Sequence, residues 1–170
     1  MSEPFTLYKL IILYMLQKVD FPLTNSQISE FILDRGYTTY FTLQSVLSEL
    51  AESDMIRQEI ILNSSYYSLT ESGEEALYYF QNRISKSIRD EIDTYISENK
   101  MKLRDDVSVL ADYYKNTANE YSVRCIVKEK YSNPIELTIT VPDEVQAKIV
   151  CRNWKDHCQH IYEHIMKELL

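Results

Sequence analysis

Tyr67-Ser-Leu-Thr-Glu-Ser-Gly-Glu-Glu-Ala-Leu77 is the stretch on which the fold turns. Residues up to Thr70 read as a short strand. Gly73 then opens an amphipathic segment, with Ser72 as cap and Glu74 and Glu75 at the positive end of a helix dipole. Working outward, Met55–Leu62 is rich in β-branched residues and pairs with Tyr66–Leu69 as a hairpin tipped by Asn63-Ser64-Ser65. Three helical patterns precede it. Residues 5–19 set Leu7, Leu10, Ile11, Tyr14 and Met15 on one stripe, and Phe21-Pro22 ends them. Thr24-Asn-Ser-Gln27 has the form of a capping box, opening a helix with Ile28, Phe31 and Ile32 inward. Gly36, free to take positive φ, closes it after Arg35. Thr38 or Thr39 caps a third helix with Leu43, Val46, Leu47 and Leu50 buried. Helix, helix, helix, strand, turn, strand, helix is the order of a winged helix-turn-helix.

From Glu74 the pattern stays helical through Leu77, Phe80, Ile84, Ile88, Ile92, Tyr95 and Ile96, with a break at Ser85-Lys86-Ser87 and a stop at Asn99. The period then changes from 3.6 to 2. Val109, Ala111 and Tyr113 alternate, then Tyr121, Val123, Cys125 and Val127, then Ile135, Leu137, Ile139 and Val141. Hairpin-sized gaps separate them, so a three-stranded antiparallel meander with one covered face is expected. After Pro142, Asp143-Glu-Val-Gln146 caps a last helix striped by Ala147, Val150, Cys151, Trp154, Cys158, Ile161, Ile165 and Leu169. The expected class is α+β: a winged helix-turn-helix over residues 1–84, then a small α-β-β-β-α module over 85–170 for dimerisation or sensing.

Composition narrows the function. The 170 residues hold only two Gly and four Pro, leaving little room for linkers, and no apolar run reaches membrane-spanning length. No signal-peptide pattern opens the chain, and Cys125, Cys151 and Cys158 form no Cys-x-x-Cys pair, so free thiols in a cytoplasmic protein are expected. The net charge is −8. Residues 1–84 carry five basic side chains (Lys9, Lys18, Arg35, Arg57, Arg83) against eleven acids. Such a balance opposes nucleic-acid binding, whose affinity comes mainly from neutralised phosphates.

The candidate DNA surface is the outward face of the third helix and its neighbours. Gln44 suits adenine edges, Ser45 suits any base, and Phe41 or the Thr42 methyl suits a thymine methyl. Thr39, Tyr40, Asn63 and Ser64 flank them, and Arg35 and Arg57 are the phosphate contacts. Glu49 and Glu52 share the face and oppose it. Leu77, Phe80, Ile84, Ile88, Ile92 and Tyr95 are the expected homodimer interface, because the two long helices carry more apolar surface than the sheet can cover. His157, His160 and His164 share a sector of the last helix, but without a third-ligand carboxylate they read better as packing or solvated residues than as a metal site. No Gly-rich phosphate loop, nucleophile elbow or His/Ser/Asp arrangement stands out, so neither an enzyme nor a cofactor is expected.

The Tyr-x-Leu-Thr-x-x-Gly-x-x-x-Leu run resembles the wing-to-helix junction of PadR- and MarR-like bacterial regulators. Tyr40-Phe41-Thr-Leu-Gln44, Tyr67-Ser-Leu-Thr70, Asp112-Tyr-Tyr114, and Val141-Pro…Gln146-Ala147 with Asn153-Trp154 resemble the bacterial family of domain of unknown function 4364 over nearly the full length. That resemblance implies a winged-helix transcriptional regulator with a C-terminal α/β domain and brings no catalytic residues. The expectation is therefore a homodimer on duplex DNA, with an unknown small-molecule or protein effector and no membrane partner. The alternative is a winged-helix protein-interaction module with no nucleic-acid role.

Overall fold

The computed structural model describes residues 3–170. They form two compact units that divide between Leu103 and Arg104, where the sequence suggested a division after residue 84.

The first unit runs α1 (Glu3–Gln17), β1 (Leu23–Thr24), α2 (Asn25–Asp34), α3 (Tyr40–Glu52), β2 (Ile56–Ile61), β3 (Ser64–Leu69), α4 (Glu71–Phe80), a 3-10 turn (Gln81–Arg83), and the greater part of α5 (Lys86–Ser108). Its sheet is antiparallel in the order β1-β3-β2. The expected hairpin thus gains a third strand, since Leu23 pairs with Tyr67 and Thr24 with Tyr66. Two residues were too short a signal to distinguish from the loop after Pro22. Every residue from Leu10 to Leu16 is buried, so α1 is a central helix packed on α3, α4 and β3 rather than one with a single inward stripe.

Local chemistry explains the boundaries. Thr24 accepts from the Gln27 N–H while Gln27 Oε1 accepts from the Thr24 N–H, completing the capping box. At the other end Gly36 takes φ 65°, the Gly36 N–H donates to Leu33 O and the Tyr37 N–H to Ile32 O, a Schellman closure. The hairpin turns through Leu62 and Asn63 alone, at φ 48° and 64°. Ser64 and Ser65 therefore belong to β3 and not to the tip.

The quoted stretch behaves as a joint. Thr70, not Ser72, caps α4 by accepting from the Gly73 N–H at 3.1 Å. Thr70 also donates its hydroxyl to Asp54 O and its N–H to Met55 O. Gly73 lies so close to the Met55 carbonyl that a Cβ there would stand 2.0 Å from the oxygen. Close approach, not positive φ, is why glycine occupies this position.

The helical pattern breaks between Arg83 and Lys86, about where Ser85-Lys86-Ser87 suggested, and Ser85 Oγ accepts from the Ile88 N–H at the start of α5. Asn99 does not stop α5. Its side-chain amide donates back to Tyr95 O and the helix continues to Ser108, with Leu103 and Val107 extending the buried stripe of Ile92 and Ile96. Two polar contacts tie α5 into the unit: Tyr14 OH donates to Asp93 at 3.0 Å, and Gln27 Nε2 donates to Leu103 O at 3.1 Å.

The second unit holds β4 (Val109–Lys115), β5 (Tyr121–Val127), β6 (Ile135–Val141) and α6 (Glu144–Leu169), with sheet order β4-β5-β6. The register pairs Val109 with Val127 and Tyr121 with Val141, so odd-numbered residues share one face. That face packs on Ala147, Val150, Cys151, Trp154, Cys158 and Ile161 of α6. The opposite face is not wholly open as expected, because Leu110, Ser122 and Ile126 on it are buried, Leu110 directly opposite Ile126. Asp143 caps α6 by accepting from the Gln146 N–H. Trp154 Nε1 donates to Ile126 O, and Tyr113 OH to Glu144, fixing the helix over the sheet. All three cysteines are free thiols. Burial, and then the neighbouring Cys151, push the Cys125 thiol up to about 11.

Candidate nucleic-acid interface

The third helix starts where Thr39, in extended backbone, accepts from the Thr42 N–H at 3.4 Å. Its inward stripe is Leu43, Val46, Leu47 and Leu50, all fully buried. Outward it presents Tyr40, Phe41, Ser45, Ser48 and Glu52. Phe41 is 82% exposed and meets Tyr40 edge to face at 5.9 Å. Thr42 is half-buried and accepts from the Thr39 hydroxyl at 3.1 Å.

Gln44 is placed differently from the free reader that its position on a helical projection suggests. Its amide exchanges two hydrogen bonds with Asn25 at the start of α2, at 2.8 and 3.0 Å, and Asn25 also accepts from Ser29 and donates to the Tyr67 hydroxyl. Gln44 therefore braces α3 against α2, and Asn25 carries the network on to Tyr67 of β3. Asn25 carried no sequence signal for this role, being distant from Gln44 along the chain.

The basic residues do not gather beside α3 as free cations. Lys9 donates to Glu49 at 2.7 Å, which places one cation at α3 but neutralises it and the acid together. Lys18 pairs with Asp93 at 3.2 Å. Arg35 lies over the rings of Phe31 and Tyr95, at 4.2 and 5.2 Å, and faces Glu91 at 3.6 Å. Tyr37 donates its hydroxyl to the same Glu91, and desolvation, reinforced by that hydrogen bond, pushes its pKa up to about 12. Arg57 is exposed on β2 opposite Ser68, and Asn63 and Ser64 are exposed at the hairpin end.

The residues expected to pair two chains are mostly core residues of one. Leu77, Ile84 and Ile92 have essentially no exposed surface, and Ile88 and Tyr95 pack against the same core. A side chain already enclosed has no area to offer a second chain. Phe80 remains exposed beside Tyr78 and Tyr79. Among the described residues no three His, Cys, Asp or Glu side chains cluster as a metal site, and no helix is long and apolar enough to cross a membrane.

A family model described as domain of unknown function (DUF4364) matches residues 8–169. The chain belongs to this family. The match takes in α3, the hairpin, the Thr70–Gly73 joint and the whole second unit, so the DUF4364 family is defined over both units rather than over the DNA-candidate surface alone. No curated protein and no solved structure matches the chain.

Proposed function

We propose that this DUF4364 protein is a winged-helix transcriptional regulator, resembling PadR- and MarR-like proteins at its wing-to-helix junction, that binds duplex DNA as a homodimer. In this reading α3 enters the major groove and the β2–β3 hairpin is the wing. The carrying observation is the outward face of α3: Tyr40, Phe41, Ser45 and Ser48 are exposed and uncharged, and Glu49, the acid nearest them, is neutralised by Lys9. The surface that would meet base edges thus carries less repulsion than the net charge of −8 suggests. Arg57 on the wing strand supplies a phosphate contact, and Phe41 a thymine-methyl contact.

A second reading, a protein-interaction winged helix, is favoured by the engagement of Arg35 and Lys18 with Glu91 and Asp93, which withdraws two cations from phosphate. Titration of a labelled random duplex at low ionic strength separates the two. In the DNA reading Arg57→Ala weakens binding on all sequences alike and lowers the salt slope by about one. Absence of any duplex binding at low salt would favour the protein-interaction reading.

A further inference from the structure

The sheet of the second unit ends on an unguarded strand. Among the described residues, β6 has β5 on one side and no strand on the other. Edge strands normally carry a lysine, an internal proline or a bulge that prevents another strand from adding on. Ile135-Glu-Leu-Thr-Ile-Thr-Val141 has none of these, and its register with β5 is unbroken over all seven residues. Its single charge, Glu136, is turned to β5 and held by Arg124 at 2.6 and 2.8 Å. Pro134 and Pro142 stand immediately outside the strand, so a ladder added to this edge is confined to those seven residues.

We propose that β6 pairs antiparallel with β6 of a second copy, on a two-fold axis through Thr138, to make one six-stranded sheet. The sequence is self-complementary about that axis. Thr138 faces Thr138, Leu137 faces Ile139, Ile135 faces Val141, and Glu136 faces Thr140. Apolar residues thus meet apolar residues on the α6 side, and no like charges stand opposite each other. Residue pairs within the existing sheet also join odd to odd and even to even, so the added pairing keeps the covered face continuous. An apolar groove of about 190 Å³ runs beside this strand, lined by Leu137, Ile139, Val150, Trp154 and Ile161. Ile139 is 44% exposed at its rim, where the second copy's Leu137 would cover it. This interface lies wholly in the second unit and stands apart from the DNA reading; a dimer indifferent to DNA leaves it intact.

The test is sedimentation of the full chain without DNA. Wild type is expected to dimerise in the micromolar range. Thr138→Lys and Thr138→Glu, both at an exposed position, each place like charges opposite each other and should weaken dimerisation roughly fivefold or more. Mixing the two variants in equal amounts should restore a heterodimer. Circular dichroism matching wild type establishes that each variant is folded. A wild-type chain that stays monomeric overturns the proposal, including one that instead accepts an unrelated extended peptide on β6. Variants that dimerise like wild type, or that do not recover on mixing, overturn it as well.

Discussion

Replacing Gly73 by alanine puts a methyl group where there is no space for one. Its Cβ would stand 2.0 Å from the Met55 carbonyl oxygen and 2.9 Å from Leu69 Cδ1. An ordinary carbon–oxygen contact is about 3.3 Å, so α4 or the Met55 backbone must move by roughly 1.3 Å. Neither is loose: Thr70 caps α4 and bonds both Asp54 O and Met55 O. The cost should reach the upper end of overpacking penalties, about 3 kcal/mol, which for a unit of this size lowers the melting temperature by about 12–24 °C. Gly36→Ala is the comparison. That position has no atom within 4 Å of the added Cβ, and only its φ of 65° opposes a side chain, at about 1–2 kcal/mol. Thermal melts followed by circular dichroism should rank wild type above Gly36→Ala, and Gly36→Ala above Gly73→Ala. A Gly73→Ala protein melting at or above the Gly36 variant would refute the close approach.

Three further outcomes follow from the site. Gln44→Ala should cost about 1 kcal/mol in a denaturant titration, because the half-buried Asn25 loses both bonds to Gln44 and keeps only those to Ser29 and Tyr67; unchanged stability with altered base preference would instead make Gln44 a reader. The raised Tyr37 pKa stabilises the neutral phenol in the folded state, so its contribution is complete below pH 10 and is lost as pH rises towards about 12. Tyr37→Phe should therefore flatten the stability curve between those values, and an unchanged alkaline limb would contradict it. Glu52→Gln removes an exposed acid from the outward face of α3, and should tighten non-specific duplex binding at low salt more than at high salt; a gain that does not depend on salt would not be electrostatic.

What the sequence revealed and what it hid divide along the range of the interactions. Thr24-x-x-Gln27, Asp143 before α6 and the alternating residues of β4, β5 and β6 are local signals, and each element appears where they indicate. Gly73 was legible as a boundary, but its close contact with Met55 was not, because that depends on a backbone arriving from elsewhere. α1 looked amphipathic because Ile12, Leu13 and Leu16 attract no notice beside a stripe that already suffices; only packing on several elements shows why they are apolar. Asn99 is a poor helix former in isolation, yet its amide bonds Tyr95 O while Leu103 beyond it is buried, and tertiary burial overrides propensity. For the candidate site, Phe41 and Ser45 were placed outward by periodicity alone. The Lys9–Glu49, Arg35–Glu91 and Gln44–Asn25 pairings, which decide what the surface offers, join residues far apart in the chain.

Selection from a random duplex library with the full chain, followed by a salt titration on the recovered sequence, tests the central claim most directly. A dimeric winged helix with α3 in the major groove should enrich a two-fold symmetric site, with half-sites about one helical turn or a multiple of it apart. Affinity for that site should exceed that for random duplex by about a thousandfold or more, and should fall steeply with salt. Recovery of no sequence above background, with duplex affinity equal for all sequences or absent at low salt, would contradict the claim that this surface reads DNA.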